Sequence, residues 1–124
     1  MSENILEIKT IKKMTQKYKI VNYIDNGKDI FDDWLKSLKD KKAQAAIYRV
    51  IDRLQQGNLG NNHYCRDGVW EIVIDYGPGY RVYYSIVGNV LILLLCAGTK
   101  RTQNKDISRA VKYLQEFKES NNND

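Results

Sequence analysis

The run Val90–Ala97 is apolar at every position and no longer than a strand. A strand without polar alternation is covered on both faces, so the chain must build a sheet with a layer on each side of it. The run also falls well short of the ~20 residues that span a bilayer, and no other segment comes closer, so no membrane partner is expected. Val69–Asp75 and Arg81–Val87 alternate apolar and polar residues, as half-buried strands do. Trp70, Ile72 and Ile74 share one parity and Val82, Tyr84 and Ile86 another. Setting both groups on one face puts Ile74 opposite Val82 and Asp75 opposite Arg81, around a loop Tyr76–Tyr80. A one-residue slip would bury Arg81. The second face then carries Glu71, Val73 and Asp75 beside Arg81, Tyr83 and Ser85, and is expected to stand open.

Helices cover the apolar face. Phe31, Trp34, Leu35 and Leu38 fall at i, i+3, i+4 and i+7, and Ala43, Ala46, Ile47, Val50, Ile51 and Leu54 repeat the pattern up to Gly57. Two short-linked amphipathic helices form a hairpin that must lay its apolar stripe on the sheet. Lys19–Ile24 reads as a strand ending in the turn Asp25-Asn26-Gly27. Asn62–Arg66 is either a further strand or a loop. Ile107, Ala110, Val111, Leu114 and Phe117 give a closing helix. The expected fold is α+β: a helical hairpin on a small twisted antiparallel sheet, with a C-terminal helix. Residues 17–118 make the one domain. Residues 1–16, with Ile5, Ile8, Ile11 and Met14 at a near-helical step, form an extension that is a short helix or an arm, and 119–124 form a polar tail.

The chain has 124 residues, one histidine and two cysteines, too few Cys and His for a zinc site of four protein ligands. No phosphate loop and no dinucleotide fingerprint is present, so neither metal nor organic cofactor is expected. Residues 1–16 lack the apolar block of a signal peptide, which points to the cytoplasm. The net charge is +5, and residues 98–118 hold six basic against two acidic side chains. Lys105, Arg109 and Lys112 step along one helix face, and Lys100 and Arg101 follow the apolar strand. Such a cluster suits a phosphate backbone, though it also fits an ordinary solvated helix face.

Several motifs, in order, carry more than the charge does. Phe31-Asp32-Asp33-Trp34-Leu35 comes first, then Leu54-Gln55-Gln56-Gly57-Asn58-Leu59-Gly60 and Gly68-Val69-Trp70-Glu71-Ile72. Gly77-Pro78-Gly79-Tyr80-Arg81-Val82-Tyr83-Tyr84, Leu93–Lys100 and Gln103-Asn104-Lys105-Asp106-Ile107 follow. Together they resemble the RelE/ParE superfamily of bacterial toxins, in its HigB-like, phage-derived addiction-module killer branch. The resemblance spans residues 18–117 and implies one half of a type II toxin–antitoxin pair. It implies a small helix-turn-helix antitoxin as partner, and an oligomer formed with it.

RelE-like members cut messenger RNA on the translating ribosome, so mRNA and the ribosome are the implied targets. ParE-like members inhibit DNA gyrase without nuclease chemistry, and an inactive homologue would act only in an autoregulatory complex. RNA cleavage needs a base for the ribose 2′-OH, a cation for the pentacoordinate phosphorus and an acid for the departing oxygen. Arg81 matches the superfamily's strand arginine, and Lys100 or Arg101 its basic position after the last strand. The lysines that RelE carries near Trp70–Ile74 are Glu71 and Val73 here, and its helix tyrosine is Ile107. The proton carrier then falls to Glu71 or to His63. Arg101, Lys105, Arg109, Lys112, Arg66 and Tyr83 complete the expected contacts to RNA and ribosome. The alternative role for Arg81 is a plain cross-strand ion pair with Asp75.

Overall fold

The computed structural model describes residues 17–122. Its strands are β1 (Lys19–Asn22), β2 (Ile24–Asp25), β3 (Lys28–Asp29), β4 (Asn62–Arg66), β5 (Val69–Ile74), β6 (Tyr80–Val87) and β7 (Leu91–Thr99). Its α-helices are α1 (Ile30–Ser37), α2 (Lys41–Gln55) and α3 (Gln103–Asn122), the last entered through a 3-10 turn at Lys100–Thr102. Five strands form one sheet in the order β1-β7-β6-β5-β4. The fold is the expected α+β arrangement. Asn62–Arg66 is a strand, α3 runs on to Asn122 through part of the expected tail, and the extension 1–16 lies outside the described residues.

Local chemistry explains the boundaries of α1 and α2. The Asp29 carboxylate accepts from the Asp32 N–H at 2.9 Å and caps α1, and Asp40 does the same for Lys42 and Ala43 at the head of α2. The Gln44 amide donates to the Leu35 and Leu38 carbonyls, which satisfies acceptors left open at the end of α1. Gly57, at φ +90°, closes α2 in the left-handed region that only glycine enters freely. Asn26 and Gly27 both have positive φ, so β2 and β3 are joined by the tight turn their sequence announces.

The sheet is mixed because β1 lies parallel to β7, while β4 to β7 are antiparallel neighbours. A parallel pair needs a long crossover, and the helical hairpin with β4–β6 supplies it. β7 is interior and buried on both faces, one strand in from the edge, with β6 at the centre. Phe31, Leu35, Ala43, Ile47 and Leu54 of the hairpin cover Ile72, Ile74, Val82, Tyr84 and Leu94 on one face. Ala110, Val111 and Leu114 of α3 cover Val69, Tyr83, Leu93, Leu95 and Cys96 on the other. Fully burying each large apolar side chain contributes about 1.5–3 kcal/mol, so both layers are needed.

Two expectations are corrected. The β5–β6 register sets Ile74 opposite Tyr80 and Arg81 opposite Val73, with the loop at Asp75–Gly79. The parity is as expected, but the pairing is displaced by two residues, because burial distinguishes faces and cannot distinguish registers that share them. The loop chooses: the Tyr76 N–H donates to Ile74 O at 2.9 Å and the Gly79 N–H to Tyr76 O at 3.1 Å. Second, the face bearing Glu71, Arg81 and Tyr83 is not open. α3 lies over it.

Candidate active site

Glu71, the one carboxylate among the expected site residues, is buried, at 6% exposure. Its side chain points toward α3, where the Gln103 amide donates to both carboxylate oxygens at 3.2 and 2.9 Å. Arg81, displaced by the register to a diagonal position, brings its Nε to 3.7 Å from Glu71 Oε2. That is an ion pair but too long for a hydrogen bond. The Arg81 Nη1 donates to the Gly79 carbonyl at 3.1 Å, and the Lys100 backbone N–H donates to the same oxygen at 3.2 Å. One carbonyl therefore ties the strand arginine to the start of the basic segment. Arg81 has no pairing with Asp75, which is exposed at the mouth of the loop.

Behind this corner lies a second polar clasp. The Asp106 carboxylate, 5% exposed, accepts from Thr102 Oγ1 at 2.5 Å and from Arg109 at 3.3 Å. It rests directly on the backbone of Gly98, where a Cβ would collide with its Oδ2. Three buried polar atoms in this region, Arg81 Nε, Tyr83 Oη and Arg109 Nε, make no hydrogen bond among the described residues. Leaving such a group without a partner costs about 1–3 kcal/mol, so the α3 face is where polar burial weighs most on the fold.

The other expected residues distribute around the clasp. Lys100 and Arg101 are exposed on the 3-10 turn, and with Lys105 they border a shallow hollow at the head of α3. Lys105 and Lys112 face solvent, whereas Arg109 is drawn down toward Asp106 and is not a free cation. Arg66 bridges to α3 by donating to Ser108 Oγ at 3.2 Å, and pairs with Asp67. His63 stands opposite Glu71 on the neighbouring edge strand, exposed, with its Nε2 2.9 Å from Asn61 Oδ1. Tyr83 has no exposed surface, so it offers no face to an unstacked base. Burial, reinforced by the Glu71 and Asp106 carboxylates, pushes its hydroxyl pKa well above the usual phenol range.

Burial likewise raises the thiols, Cys65 to about 11 and Cys96 to about 12, so both stay protonated and unreactive near neutrality. Among the described residues no three His, Cys, Asp or Glu side chains gather as metal ligands. No described helix is long and apolar enough to cross a membrane. Gln103 and Asp106 are the site residues to which the sequence assigned no role. They extend the inward stripe of α3, since 103, 106, 107, 110, 111 and 114 share one helical face. Polar residues at the head of an apolar stripe signal a buried polar partner on the facing strand, here Glu71.

Two comparisons bear on this arrangement. A family profile described as "Phage derived protein Gp49-like (DUF891)" matches residues 33–118, which includes every residue of the clasp. An uncharacterised protein of Haemophilus influenzae is 49% identical over 87 residues, covering 70% of this chain and 88% of that protein.

Proposed function

Since the chain belongs to the Gp49-like family of phage-derived proteins, a toxin-like family of toxin–antitoxin systems, we propose that it is a toxin that cleaves messenger RNA on the ribosome. The observation that carries the reading is the shared Gly79 carbonyl, which holds the Arg81 guanidinium and the Lys100 backbone at one corner of the sheet. In this reading the ribose 2′ oxygen attacks the adjacent phosphorus and its proton passes to a base. The bond from phosphorus to the 5′ oxygen breaks, and that oxygen takes up a proton. The products are a 2′,3′-cyclic phosphate and a 5′ hydroxyl.

Arg81, whose side chain keeps 13% of its surface exposed, supplies fixed positive charge to the pentacoordinate phosphorus from the part of its guanidinium that Glu71 and Gly79 leave free. Lys100 supplies a second cation from the rim. Glu71 is held by Gln103 and is nearly closed off from solvent, which suits it to orienting Arg81. His63 is the exposed imidazole on the same side of the sheet and serves as proton carrier. The partner is an antitoxin that silences the protein by binding it.

Purified protein is tested on free RNA and on message bound to programmed ribosomes, with primer extension locating the cuts. Cleavage confined to the ribosome-bound message is expected. If neither RNA is cut and gyrase supercoiling is inhibited, the protein is a gyrase-directed toxin, a result that the scarcity of exposed acid–base groups around Arg81 would then explain.

A further inference from the structure

A groove of about 430 Å³ opens on the face of the sheet away from the Arg81 clasp, between α2 and the outer edge of β5. Its size lies within the ~300–1,000 Å³ range of ligand-holding pockets. Ile72 and Ile74 form its floor, and the half-buried Ala46, Val50 and Tyr76 form its walls. Arg49 and Arg53 stand one helical turn apart on its rim, both exposed. Neither has a carboxylate within 4.0 Å among the described residues, a state they share with Lys100, Arg101, Lys105 and Lys112 on the other face; the apolar floor beneath them sets them apart.

We propose that this groove is the seat of an acidic, apolar-anchored peptide segment of the partner protein, whose carboxylates pair with Arg49 and Arg53 while an apolar side chain fills the space over Val50 and Tyr76. The proposal rests on the toxin–antitoxin reading and names the surface and the chemistry of its partner. Charge complementarity carries it. Two unpaired guanidiniums at helical spacing above an apolar floor fit carboxylates displayed beside apolar anchors, and a fork-to-carboxylate pair is both directional and strong. The Asp75 carboxylate and the Asn58 and Asn61 amides also line the groove. Asp75 disfavours any anion beside it and so confines partner carboxylates to the Arg49 and Arg53 rim, and a ribose-phosphate chain fits less well because it has no apolar group to lay on Ile72 and Ile74. The excess of cations in residues 98–118 belongs to α3 and its 3-10 turn, which lie on the other face. Silencing and RNA contact would thus use separate sides of the molecule.

The full-length chain is co-expressed with the product of the reading frame adjoining its gene, as wild type, as Arg49→Gln/Arg53→Gln and as Arg49→Glu/Arg53→Glu. Binding of that product is measured by titration, and growth arrest is scored separately. The exposed positions allow both variants to fold, which circular dichroism checks. The expected result is arrest at the wild-type level in all three, with affinity falling progressively, by roughly 100-fold in the double reversal. Reversing acidic residues of the partner should restore affinity for the reversed variant. Unchanged affinity overturns the proposal and leaves the toxin reading standing. Loss of arrest with unchanged partner binding also overturns it, and assigns the groove to the nucleic-acid or ribosome interface. A wild-type chain that binds its neighbour but arrests nothing refutes the toxin reading, and the titration still decides whether the groove is the docking surface.

Discussion

Removing the Arg81 guanidinium changes two things at once, and the two are separable. Glu71 is left buried with Gln103 as its donor, so Arg81→Ala should destabilise the fold by about 3 kcal/mol, the lower end of what breaking a buried pair costs, because the pair is long at 3.7 Å. Cleavage should fall by roughly 100- to 1,000-fold, the usual cost of deleting one preorganised transition-state cation or donor. Pairing the change with Glu71→Gln removes the stranded carboxylate. Denaturant midpoints should then recover much of the lost stability, while cleavage stays at the single-mutant level. Recovery of activity together with stability would reduce Arg81 to a structural ion pair. The sequence made the arginine visible as a candidate, but the alternative it offered, an ion pair with Asp75, rested on a register that side-chain parity alone cannot fix.

At the level of elements, the packing of α3 on β7 controls the site. Gly98 is in β7, and a methyl group there would overlap the Asp106 carboxylate and sit 2.8 Å from Thr102 Oγ1. Asp106 has little room to yield, being held by both Thr102 and Arg109. Gly98→Ala should therefore lower stability by about 1–3 kcal/mol, the cost typical of overpacking, and loosen the head of α3. Thermal melts read the first effect, and faster amide exchange at Gln103–Ile107 reads the second. A melting curve unchanged from wild type would show that the clasp bends freely. The periodicities of α1, α2 and α3, the Gly57 terminus of α2 and the faces of β5 and β6 were legible because each depends on neighbours close in sequence. The parallel pairing of β1 with β7 was not, and neither was the bulge that sets Tyr83 opposite Cys96 but Tyr84 opposite Leu94. That bulge turns both Leu95 and Cys96 toward α3. The inward stripe of α3 marks Gln103 and Asp106 as facing a polar partner, but which partner each meets depends on where α3 lands on the sheet, a long-range outcome.

Across the whole molecule, the two faces of the sheet differ in charge and shape. The hairpin side carries the groove, and the α3 side carries the clasp together with Lys100, Arg101, Lys105 and Lys112, all exposed. The charge run was readable in the sequence, but its membership was not, because Arg109 is engaged by Asp106. Lys105→Glu/Lys112→Glu should weaken binding to ribosomes, and the slope of log affinity against log salt should shrink by about 1 for each phosphate no longer neutralised. Stability should stay within about 0.5 kcal/mol of wild type, as for surface changes away from special contacts. Arg109→Glu should behave differently: it sets two carboxylates against each other beside Asp106 and should register mainly as a lower melting temperature. Binding is measured by sedimentation with ribosomes at two or more salt concentrations, and the fold by thermal melts of the same samples. If the Lys105/Lys112 reversal leaves both affinity and salt slope unchanged, the stripe is an ordinary solvated face. The RNA-directed role would then rest on Arg81, Lys100 and Arg101 alone.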